Sequence, residues 1–104
     1  MIVSTADVPQ GANVQILGIV RGNIATSRHI GKDIMAGFRN VVGGEVKQYT
    51  EMTTSARDEA EKRLIANAEA IGADAIFCTR FSSCVIGESI IEMLAYGTAV
   101  KFNA

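Results

Sequence analysis

The chain has 104 residues, 48% of them hydrophobic and 20% charged, with a formal net charge of −1. Such a composition fits one folded domain spanning residues 1–104 and argues against disorder. The near-zero charge excludes a bulk electrostatic pull toward nucleic acid or anionic lipid, and no basic stripe or interleaved aromatics support nucleic-acid binding. Charge is nonetheless uneven. Residues 1–44 carry four bases against two acids, and residues 45–74 carry seven acids against four bases. Two solvated faces, or two complementary patches that meet between subunits, would both give this pattern.

In chain order, residues 2–5 read as a short edge strand. Pro9, Gln10, Gly11 and Asn13 then punctuate a turn. Residues 14–24 read as a strand that is apolar on both faces at its start, the mark of burial on two sides. Gly18 and Gly22 leave bare backbone, so a bulge or a close approach is expected there. Residues 27–42 read as a shorter helix with Ser27 as N-cap, and Gly43-Gly44 turn the chain.

A long amphipathic helix is expected from Glu45. Tyr49, Met52, Ala56, Ala60, Leu64, Ala68 and Ile71 recur at steps of three and four. Ser55 with Asp58 offers a rival start, but the stripe runs unbroken from Tyr49. Asp58–Lys62 and Glu59–Arg63 are acid-before-base pairs four apart. Gly72 supplies the left-handed cap. Residues 74–81 read as a strand, residues 82–88 as a connection, and residues 89–102 as a long last strand. One parity of that strand holds Ile91, Met93, Ala95, Gly97 and Ala99, a row small enough for the alanines of the long helix to lie across.

No basic n-region precedes an apolar run at Met1-Ile-Val-Ser-Thr5, and no run approaches the ~20 residues of a membrane span. Two cysteines in such a chain suit a reducing cytoplasm.

Leu17-Gly-Ile-Val-Arg-Gly22, Asp33-Ile-Met-Ala-Gly-Phe-Arg-Asn-Val-Val-Gly-Gly44, Gly72-Ala-Asp-Ala75 and Gly97-Thr-Ala-Val-Lys101 together resemble the YbjQ-like family. Its small bacterial and archaeal members are often labelled heavy-metal-binding. The resemblance covers nearly the whole chain in order, and residues 78–92 match it least. It implies a dodecin-like α+β subunit: a small antiparallel sheet with one long helix packed across it, and a ring-shaped homo-oligomer, a pentamer. It carries over no catalytic or metal-binding residue and no cofactor.

A soft-metal site wants converging thiolates and imidazoles. Cys78, Cys84 and His29 are the candidates. In an unbroken strand the two cysteines would share a face ~20 Å apart, and they could meet only if Ser82-Ser83 turns the chain. An anion site is conceivable where Arg28, His29 and Lys32 stand at the start of the shorter helix. No Ser/His/Asp or Cys/His set is apparent, so no catalytic residue is assigned. Gly31-Lys32-Asp33 fails the phosphate-loop pattern. The long helix is acidic, which disfavours a membrane-surface role.

These observations favour a non-enzymatic protein that binds a small ligand or a metal ion, or acts as a scaffold, as a homo-oligomeric ring. The alternative is an enzyme whose active site forms between subunits.

Overall fold

A computed structural model describes residues 1–27, 47–88 and 90–103. In chain order the elements are β1 (Ile2–Val3), β2 (Val14–Ser27), α1 (Lys47–Ala70), β3 (Ala75–Gly87) and β4 (Ile90–Phe102). The fold is α+β: a four-stranded mixed sheet, ordered β1-β3-β4-β2, with α1 on one face.

The apolar stripe of the long helix is what α1 buries: Met52, Ala56, Ala60, Leu64 and Ala68. They fall at every fourth residue, so the buried row advances ~40° around the helix at each step. A row that winds in this way lets α1 cross a twisted sheet obliquely. Its middle lies over Gly22 of β2, and its first half reaches Ser83 of β3 and Met93 of β4. Gly72, at φ +80°, ends the helix. Its N–H bonds to Glu69 O (3.0 Å), and the N–H of Ala73 bonds to Ala68 O (3.0 Å). These two bonds form a Schellman motif, and Ala73 continues into the core beside Ala68. Asp74 then closes the corner: its N–H donates to Val100 O (2.8 Å), and its Oδ2 accepts the N–H of Phe102 (2.8 Å).

β2 and β4 pair over their full lengths. Val20, Gly22 and Ile24 stand opposite Gly97, Ala95 and Met93 on the α1 side. Bare backbone matters at two of these positions. A Cβ on Gly22 would collide with the backbone of Ala60, Arg63 and Leu64. A Cβ on Gly97 would lie 2.7 Å from Ile76 Cγ2 and 3.0 Å from Phe77 O. Gly18 plays a different part: it sits at a register shift of β2 with φ +120°. The outer edge of β2 is held by α1 side chains. Arg63 Nη1 donates to Asn23 O (2.8 Å) and Asn67 Nδ2 to Arg21 O (2.7 Å). Capping an edge strand's carbonyls in this way removes sites on which another chain could pair.

The structure corrects several expectations. The sheet is mixed rather than antiparallel, because β1 runs parallel to β3, with Ile2 opposite Ala75 and Val3 opposite Ile76. Two residues carry too little pattern to reveal that direction. Residues 82–87, read as part of a connection, continue β3: Ser82, Ser83, Cys84 and Val85 pair with Leu94, Met93, Glu92 and Ile91. Their polar character marks an exposed strand rather than a loop, and the β-prone Ile90-Ile91 run supplies the partner. Ser27, read as an N-cap, is instead the last residue of β2, opposite Ile90. The rest of the expected shorter helix and the start of the long helix at Glu45 lie outside the described residues. Ser55 is interior to α1, which removes the rival start. Of the two acid–base pairs, Glu59–Arg63 forms at 3.1 Å; among the described residues Asp58 and Lys62 make no ion pair.

Candidate functional site

Among the described residues, two places bring reactive side chains together, and both involve β3. The first is a bulge. Between Phe77, opposite Thr98, and Arg80, opposite Tyr96, β3 holds one residue more than β4. The surplus is absorbed at Cys78, whose φ of 56° lies in the left-handed region. That conformation costs a residue with a Cβ about 1–3 kcal/mol, so the surroundings must hold it in place. The segment after β1 does so. The N–H of Cys78 donates to Ala6 O (2.9 Å), that of Thr79 to Ser4 O (3.0 Å), and Arg80 Nη1 to Thr5 O (3.1 Å). Arg80 Nη1 also bonds Thr79 O (2.9 Å).

This pinning brings the Cys78 thiol against Asp7, Sγ to Oδ1 3.5 Å. Thr79, beside it, is 2% exposed, and its hydroxyl has no hydrogen-bond partner among the described residues. The bulge also breaks the strand's alternation, so the expectation that the two cysteines share a face does not hold. β3 runs on past Ser82-Ser83, and nothing folds Cys84 back toward Cys78. Both are free thiols.

The second place is a cleft between the first half of α1 and the far end of β3 and β4. It has a volume of about 340 Å³ and is lined by Thr53, Arg57, Ser83, Cys84, Val85, Ile91 and Met93. Thr53 and Arg57 stand one turn apart on one face of α1. The Thr53 hydroxyl is spent on Tyr49 O (3.0 Å) and Thr50 O (3.1 Å).

The candidate metal ligands therefore separate: Cys78 lies at the bulge, Cys84 farther along β3 opposite Glu92, and His29, with Arg28 and Lys32 of the anion-site candidate, outside the described residues. A soft divalent ion asks for about four donors. Cys78 and Asp7 offer two, and among the described residues no three His, Cys, Asp or Glu side chains gather in one place. The described residues alone do not fit a complete metal site. Sequence reasoning missed Asp7, which lies in an aperiodic turn segment, and Arg57. The latter had a readable signal. Lys62 and Arg63 each follow an acid by four residues, whereas Arg57 follows Thr53.

A family model described as "Putative heavy-metal-binding" matches residues 1–103. The chain belongs to the YbjQ-like family. It is 55% identical to a UPF0145 protein of Thermosipho africanus, across 99% of this chain and 96% of that one. It is 50% identical to one of Photobacterium profundum (97% and 98% covered) and 48% identical to one of Archaeoglobus fulgidus (99% and 95% covered). Among solved structures, a DUF74-family protein of unknown function from Pediococcus pentosaceus superposes with a TM-score of 0.70. It covers 99% of this chain and 98% of that one, at 17% identity, a likeness of fold. No helix among the described residues is long and apolar enough to cross a membrane.

Proposed function

We propose that this YbjQ-like chain is a dodecin-like subunit of a closed homo-oligomeric ring, five-membered as the family resemblance implies. The assembly acts in the cytoplasm as a non-enzymatic binding or scaffold protein. One observation carries the reading. On the sheet face away from α1, Ile16 is 63% exposed, Ile19 72%, Tyr96 39% and Phe102 47%. A contiguous apolar face of this kind is uncommon on soluble monomers and marks a surface that another molecule covers. Placing it against a second copy removes it from water at ~25 cal/mol per Å² of apolar area. The excess positive charge of residues 1–44 and the acidic α1 favour a head-to-tail contact, and such contacts either close into rings or grow into filaments.

The bound species is a small molecule, or a metal ion whose donor set is completed by more than one subunit. The family description speaks for the ion, and the two-donor pair of Cys78 and Asp7 is its nearest counterpart in the described residues. Multi-angle light scattering should report a mass several times 11.1 kDa that does not fall on dilution through the micromolar range. A folded monomer under those conditions refutes the ring. Elemental analysis of the purified protein is expected to find well under one zinc or copper per chain. A stoichiometric metal lost on Cys78→Ser would instead assign the bulge to the ion.

A further inference from the structure

The cleft beside Arg57 has a composition that selects a ligand class. Its apolar surface comes from Val85, Ile91 and Met93, and Met93 is itself buried to 3% exposure. Its polar groups are the Arg57 guanidinium and the Ser83 hydroxyl, together with the hydroxyl of Thr53, whose proton is already donated to the helix backbone; Cys84, opposite Glu92, turns its thiol to the other face of the sheet. No carboxylate among the described residues lines it. Among the described residues, Arg63 and Arg80 are both engaged by hydrogen bonds, whereas the side chains of Arg57 and, away from the cleft on β2, Arg21 make no hydrogen bond or ion pair. An unpaired guanidinium above an apolar floor attracts an anion and offers it a planar fork. One cation matches one negative charge. A described lining with a free cation and no acid disfavours cations and metal ions. The volume lies at the small end of the range for ligand sites.

We propose that this cleft binds a small amphipathic monocarboxylate, with Arg57 and Ser83 holding the head and Val85, Ile91 and Met93 the hydrocarbon body. The proposal rests on reading the chain as a ligand-binding subunit and names the ligand of that reading.

Isothermal titration calorimetry of the full-length protein with sodium octanoate, octanol or octylamine reads the site directly. Octanoate should bind saturably, and octanol and octylamine should not match it. Arg57→Gln should weaken octanoate binding about tenfold or more, as expected for loss of a charged hydrogen bond. Lys62→Gln, elsewhere on α1, should leave it unchanged. Octanol binding as tight as octanoate binding, or an Arg57→Gln protein that binds octanoate as well as its parent, overturns the proposal. The assembly mass is measured on the same samples. An intact ring without octanoate binding fails the cleft and leaves the assembly standing. Octanoate binding by a monomer does the reverse.

Discussion

The two ends of the β3–β4 ladder both carry large apolar residues, Ile76 and Val100 at one, Phe81, Val85 and Ile90 at the other, and these meet opposite fates. At the near end Ala75, Ile76, Ala99 and Val100 are each fully buried. At the far end every residue from Phe81 to Ile86 is exposed, and so is Ile90. Both ends are paired in antiparallel register, so backbone hydrogen bonding does not separate them. Cover does. At the near end Ile76 and Ala99 pack with Ala68 and Ala73 at the end of α1, and the ladder is flanked by β1. Towards the far end α1 leans over β2 and β4, and β3 projects past it. A strand can thus be equally well paired along its length and rigidly cored at one end only. The uncored end carries the cleft and the exposed Cys84, with Arg57 of α1 beside it.

Substitutions at the cored side should therefore be felt strongly. The largest effect is expected from Gly22→Ala, since the added methyl meets helix backbone that cannot move aside. More than about 4 kcal/mol of stability should be lost, and the thermal transition should broaden or vanish. A sharp transition within a few degrees of the parent's would mean that α1 does not rest on β2. Leu64→Ala, at a fully buried position, should cost roughly 2–5 kcal/mol in urea unfolding. Gly97→Ala should cost about 1–3 kcal/mol, because the Ile76 side chain can yield where the Phe77 carbonyl cannot.

The smallest change sharpens the comparison at the bulge, where the two ends meet. Thr79→Val replaces a buried, unpartnered hydroxyl with a methyl of nearly the same shape. It should stabilise the protein by about 1 kcal/mol or a little more. A loss of stability instead would show that the hydroxyl has a partner in the assembled protein.

Much of the fold was legible because it is periodic. The four-residue recurrence of Ala56, Ala60, Leu64 and Ala68 located the helix face, and the small row Met93, Ala95, Gly97 and Ala99 located the surface beneath it. Gly72 marked the cap, and Gly18 and Gly22 marked the bulge and the close approach. Less of the candidate sites was legible. Cys84 was singled out, but not its company: Arg57, Ser83 and Ile91 come from three elements and share no spacing. Cys78 was noticed as a thiol, while its contact with Asp7 spans 71 residues.

Local sequence by itself settled what each segment prefers to be and which face it must hide, because propensity and hydrophobic period act within a few turns or pleats. It set the long helix, its stop, and the small-residue row that receives it. Only the tertiary structure decided what depends on distant partners. Ser82 to Val85 became strand because Ile91 to Leu94 offered a ladder. β1 ran parallel because β3 lay beside it. Cys78 took a left-handed conformation because Ser4 and Ala6 accept the N–H groups of the bulge. Hydrogen bonds between strands are made across sequence separations that no local pattern records, and the bulge and the cleft were both built from such bonds.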